Sequence, residues 1–169
     1  MTDATAMTAV MRSSVLDLFR GYYSAQQIAS ASVHIAHVDP TLVDDGTYFA
    51  VEAGEEIVAC GGWSRRGRLY TGSGDQADDG RLLDPETEAA HIRAMFVRPD
   101  WTRRGLGRAI LEAGRSAARA EGFQRLDLMA TLAGVPLYRS FGFAEGEHAI
   151  LTMPDGVTIE AVAMERGIE

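Results

Sequence analysis

The chain has 169 residues, 46% of them hydrophobic, which is enough for one domain with a buried core. It carries 16 basic against 24 acidic residues, a formal net charge of −8, which argues against a general nucleic-acid surface. Every basic residue is arginine, and Cys60 is the one cysteine, so an internal disulfide and a multi-cysteine metal site are excluded. No run of about 18 apolar residues spans a membrane, and the N-terminus has an early Asp3 and no long apolar core. The expectation is a soluble, cytoplasmic chain without a signal peptide and without nucleic-acid or membrane partners.

In chain order, residues 1–6 are small and polar and are expected to fray. Val10, Met11, Val15, Leu16 and Phe19 give a helical period over 8–20, ended by Gly21. Ser24 is an N-cap candidate for a second helix to about Ser30, and 31–46 reads as a loop with one helical turn. TYFAVEA, 47–53, alternates as a strand. Gly54-Glu55-Glu56 turns it, and IVACGGW, 57–63, returns, with Gly61 and Gly62 marking a bulge or a close backbone approach. Residues 68–71 suggest a further strand piece, and 72–87 a polar loop. The acidic Asp75, Asp78, Asp79 and Asp84 in that loop read as a solvated surface or as an attractant for a cationic acceptor.

A strand over 90–98 then feeds a helix over 103–120 that is stopped by Gly122, followed by a strand over 123–130. A short helix over 134–140 and a hairpin, 143–153 and 157–164, complete the chain. This order predicts an α/β (α+β) fold: a mixed, partly antiparallel central sheet flanked by helices. Strands 90–98 and 123–130 should be parallel neighbours.

Between the 90–98 strand and its helix lies Arg103-Arg104-Gly105-Leu106-Gly107-Arg108. Two glycines bare their backbone N–H groups, a helix start adds its own, and three arginines add charge, a combination suited to a phosphate or pyrophosphate. A dinucleotide fingerprint would need glycine where Ile110 stands, and a nucleoside-triphosphate loop would need Gly-Lys-Ser/Thr. Some thirty residues later comes Tyr138-Arg139-Ser140-Phe141-Gly142-Phe143.

Together, the strand ending in Val97-Arg98-Pro99, the Arg-Arg-Gly-Leu-Gly-Arg loop and Tyr138 ahead of Gly142-Phe143 resemble the GCN5-related N-acetyltransferase (GNAT) superfamily. The resemblance covers about 47–165 and is specific over 90–143. Thr102 stands where the family motif opens with Gln or Arg. The family's usual first strand is not visible in residues 1–6.

The resemblance implies one GNAT-like acyl-CoA transferase domain over 1–169, with 1–46 as a helical acceptor-side region and 90–143 as the acetyl-CoA-binding core. It implies acetyl transfer from acetyl-CoA, as co-substrate and without a metal, to a primary amine of a small molecule or peptide by direct attack in a ternary complex. Backbone N–H groups of Arg103, Arg104, Gly105, Leu106, Gly107 and Arg108 would hold the pyrophosphate. The pantetheine arm would run along Met95, Phe96 and Val97, as an added strand does. An N–H at Phe96 or Val97 would meet the thioester oxygen, one such donor being worth about 3 kcal/mol.

Tyr138 matches the family's proton donor to the leaving thiolate. His91 stands where many relatives have a glutamate base, with Glu88 as its fallback, and a strand-end His that is merely exposed is the equal alternative. Tyr22, Tyr23, Trp63 and Tyr70 are candidates for an acceptor pocket or for plain packing. Cys60 reads as core. The exposed final strands are compatible with a homodimer. A non-catalytic acyl-CoA-binding or protein-interaction module on the same fold is the alternative function.

Overall fold

The computed structural model describes residues 3–70 and 80–168. Its helices are α1 (Asp3–Leu18), α2 (Ala25–His34), α3 (Pro40–Asp44), α4 (Leu106–Ala120) and α5 (Val135–Ser140). Its strands are β1 (Tyr48–Ala53), β2 (Glu56–Ser64), β3 (Ala90–Val97), β4 (Arg125–Thr131), β5 (Ala144–Thr152) and β6 (Thr158–Gly167). The six strands form one sheet in the order β1-β2-β3-β4-β6-β5. β3 and β4 are the parallel pair, as expected, and the other pairs are antiparallel. Among the described residues no strand precedes α1, so β1 is an edge of the sheet.

Several boundaries move from the sequence expectation, each for a local reason. Asp3–Ala6 are helical rather than frayed, with Asp3 in the first turn, where the helix dipole favours an acid. α2 runs on to His34, opened by a reciprocal capping box between Ser24 and Gln27. The loop expected over 31–46 therefore holds the end of α2 and all of α3, which Asp39 caps and Pro40 opens. Residues 68–70 join no strand, and the local pairing is instead one bridge between Arg66 and Leu82. Thr71 and most of the acidic loop, 72–79 with Asp75, Asp78 and Asp79, lie outside the described residues.

Strand alternation divides the core into two halves. Leu126, Leu128 and Ala130 of β4 and Val162 and Met164 of β6 meet α4 and α5. Ile159 and Ala161 of β6 meet α1 and α2 on the other face, together with Ile57, Cys60 and Phe96. β3 changes sides part-way. Ala90 and Ile92 belong to the α4 face, whereas Ala94 and Phe96 belong to the α1 face and Met95 takes their place.

The cause is a β-bulge. Cys60 pairs with Phe96 and Gly62 with Arg93, so β3 spends one residue more than β2 over the same span. Ala94 takes the strain with φ +51°. An L-residue there costs about 1–2 kcal/mol, and the Tyr48 hydroxyl, donating to the Ala94 carbonyl at 2.6 Å, offsets part of it.

The glycine pair of β2 makes this possible. A Cβ on Gly61 would collide with the Met95 side chain that the bulge pushes across, and one on Gly62 would collide with the Thr47 carbonyl. Gly62→Ala is expected to lower stability by about 1–3 kcal/mol in urea unfolding; an unchanged midpoint would contradict the close approach.

Candidate active site

β3 and β4 pair only at Ala90–Leu126 and His91–Asp127. Beyond those residues the strands part, and a cavity of about 790 Å³ opens between them and passes through the sheet. Ala94, Met95, Phe96 and Val97 line it from β3; Leu128, Met129 and Thr131 line it from β4.

One end is built by the turn into α4. Arg103 (φ +62°) and Gly105 (φ +81°) both adopt the left-handed conformation, which delays the helix to Leu106, three residues after its expected start. Gly105 is the N-cap and gives no side-chain cap, so the first-turn N–H groups are left to an external acceptor. Arg103, Gly105, Leu106 and Arg108 line the cavity. Gly107 is buried instead, where a Cβ would come within 2.8 Å of Leu137 Cδ2. Arg104 stacks over Trp101 at 4.5 Å, and Arg108 over Phe141 at 5.2 Å. An anion fits this end: bare amides, the positive end of a 15-residue helix and two arginines converge on it.

Tyr138, on α5, stands in the cavity wall and is almost wholly buried, packed edge-on to Phe143 with ring centroids 5.9 Å apart. Burial pushes its phenol above the ordinary tyrosine value, so it stays protonated at neutral pH. A Cβ on Gly134 would come within 2.9 Å of the ring, so that glycine leaves Tyr138 its place.

The two base candidates lie elsewhere. His91 is buried at the last position of β3 that pairs with β4, its Nδ1 bonded to the Asp127 carboxylate, and is not a lining residue. Glu88 is bound by Arg81 at 2.7 Å and by the Asp84 amide at 2.9 Å, which hold its carboxyl at about 2, and it too is absent from the lining.

The opposite end of the cavity lies against α1. Tyr22 and Tyr70 line it, joined by Phe19, Ile35, Leu151 and Ile159. Tyr23 is a tie rather than a lining residue: its hydroxyl donates to the Glu160 carbonyl at 2.6 Å and accepts from the Leu132 amide at 2.8 Å. Trp63 is core, edge-on to Phe123.

Buried Arg93 reaches from β3 to Asp39 at 3.0 Å and to the Arg68 carbonyl at 3.3 Å, fixing the segment that carries Leu69 and Tyr70. Burial raises the Asp39 carboxyl but is outweighed by the Thr41 amide and the Arg93 guanidinium, which hold it below the ordinary value. Cys60 is fully buried beside Tyr48, and burial pushes its thiol to about 11. The sequence reading missed Tyr48, Arg93, Leu151 and Ile159. Leu151 and Ile159 carried no local signal, because only the strand order brings β5 and β6 to the cavity.

The comparisons with known proteins bear on the family and the fold. The model of the acetyltransferase (GNAT) family matches residues 12–143. The chain belongs to that family: it is an acyltransferase of the N-acetyltransferase type on a mixed six-stranded sheet. A GCN5-related N-acetyltransferase structure from Rhodopseudomonas palustris is similar over 98% of this chain and 89% of its own, with a TM-score of 0.71 at 18% identity. The PaiA N-acetyltransferase of Thermoplasma acidophilum, solved with coenzyme A, matches over 98% and 92%, with a TM-score of 0.63 at 13% identity. The ribosomal-protein-S18-alanine N-acetyltransferase of Escherichia coli matches over 100% and 90%, with a TM-score of 0.56 at 20% identity. A search of curated proteins returns no significant match. Among the described residues no helix is long and apolar enough to cross a membrane.

Two outcomes are expected from the titrating groups. Asp39 has a lowered folded value, so its contribution is present above the ordinary carboxylate range near 4 and is lost as pH falls through the folded value. The stability difference between the native chain and Asp39→Asn should therefore be constant above about pH 5 and shrink below about pH 4; a pH-independent difference would contradict the ion pair. An aromatic disulfide reagent at pH 8 should label Cys60 in urea and spare it in the folded chain; fast labelling of the folded chain would contradict its burial.

Proposed function

We propose that the chain transfers an acetyl group from acetyl-CoA to a primary amine by direct attack in a ternary complex. The observation that carries this reading is the cavity through the parted strands β3 and β4, with an anion-binding turn at one end and a buried phenol in its wall.

Acetyl-CoA, when bound, supplies an activated thioester. Arg103 and Arg108, with the amides of the turn from Arg103 to Arg108, hold its pyrophosphate. The β3 segment Met95–Phe96–Val97 would receive the pantetheine arm as an added strand, and an N–H at Phe96 or Val97 would donate to the carbonyl oxygen. The walls of β3, β4 and α5 exclude water from the acetyl group. Tyr138 donates to the sulfur as the carbon–sulfur bond breaks and the new nitrogen–carbon bond forms. In the net balance the amine gives up one proton and the sulfur gains one, leaving an amide and a thiol.

An ammonium entering an apolar cavity loses hydration, which favours its neutral, nucleophilic form, and the proton leaves to solvent. His91 and Glu88 have no part in that step in this reading, because neither lines the cavity and Glu88 is held by Arg81. His91 instead closes the apex of the cleft by joining β3 to β4 through Asp127. The chain is read as one domain over 1–169.

Calorimetry with acetyl-CoA and thiol release over an amine panel test the proposal. Arg103→Glu is expected to weaken acetyl-CoA binding by about tenfold or more, the loss of one charge-assisted bond. Tyr138→Phe is expected to keep that affinity and lose about 10²-fold in kcat. Near-normal turnover in Tyr138→Phe removes Tyr138 from its role. Binding without thiol release from any amine favours a non-catalytic module.

A further inference from the structure

The cavity is asymmetric in charge. Its charged lining residues, among those described, are Arg103 and Arg108, both at the α4 end. The α1 end is walled by Phe19, Tyr22, Ile35, Tyr70, Leu151 and Ile159, and among the described residues no carboxylate lines it. Given the transferase reading above, on which this inference rests, we propose that the acceptor is a primary monoamine on an apolar carbon skeleton, bound by the α1 end of the cavity.

Three features argue for it. The α1 wall is held in shape without ligand. Tyr23 bonds across to the Glu160 carbonyl and the Leu132 amide and packs on Phe19 with ring centroids 5.2 Å apart, so the turn bearing Phe19 and Tyr22 is tied to β6 and to the residue just after β4. The Arg93–Asp39 pair and the Arg93 bond to the Arg68 carbonyl hold the stretch before Leu69 and Tyr70 in the same way. A preformed apolar wall rewards an apolar skeleton, which gains by leaving water and costs the protein little ordering.

The second feature is the set of aromatic faces. Rings attract a single ammonium at the mouth, while desolvation further in favours the neutral amine that attacks. The third is what the wall refuses. A diamine or polyamine must place a second ammonium among Ile35, Leu151 and Ile159, where no carboxylate among the described residues pairs it, and burying an unpaired charge is strongly unfavourable.

The full chain is assayed by thiol release with 2-phenylethylamine, n-hexylamine, putrescine and spermidine, and by calorimetric titration of the CoA-bound protein with 2-phenylethylamine. The expected result is a kcat/KM for 2-phenylethylamine at least about tenfold above that for either polyamine, with measurable binding. Tyr22→Glu, at a half-exposed site, should reverse the order by lowering 2-phenylethylamine and raising putrescine at an unchanged melting temperature. A preference for putrescine or spermidine in the native chain, as an acidic 72–87 loop acting on the acceptor would give, overturns the proposal. So does an unchanged ratio in Tyr22→Glu, or thiol release from none of the amines while acetyl-CoA binds. Absence of acetyl-CoA binding overturns the transferase reading itself.

Discussion

Two residue pairs, Ala90–Leu126 and His91–Asp127, are all that join β3 to β4, and the site depends on the strands coming apart directly after them. A continuous parallel pair would fill the middle of the sheet with backbone hydrogen bonds. Parting leaves main-chain groups of β3 facing a cavity. Both ends of the opening are then finished by local devices: the turn of Arg103 and Gly105 on one side, the tied aromatic wall on the other.

The bulge at Ala94 is what lets β3 serve both halves. Inserting one residue reverses which side chains face which helix layer, so Ile92 packs against α4 while Phe96 packs toward α1. Its strain is balanced locally. Tyr48 bonds to the Ala94 carbonyl, and Gly61 and Gly62 remove the side chains that would collide with Met95 and Thr47. β1, β2 and β3 thus act as one unit, and Cys60 is buried within it as packing.

Much of this was legible in the sequence, where a local rule sufficed. The strand–turn–helix with two glycines and three arginines, the stop at Gly122 and the Gly61–Gly62 close approach each depend on residues near one another in the chain. The family resemblance at 90–143 rested on the same stretch. What was not legible depends on the third dimension. AHIRAMFV reads as one uninterrupted strand, and nothing in it marks Ala94 for a positive φ. His91 was singled out by the resemblance alone, and its neighbour across the sheet, Asp127, lies 36 residues away in the chain. Leu151 and Ile159 reach the cavity through the strand order β4-β6-β5, which no local pattern encodes.

The central claim is that the open edge of β3 and the first turn of α4 together receive acetyl-CoA. Amide hydrogen exchange of the full chain, with and without acetyl-CoA, tests it most directly. The expected result is slowed exchange at Met95–Val97 and at Leu106–Arg108 together, with β5 unchanged. Binding that leaves both segments as they were in the free chain would contradict the account.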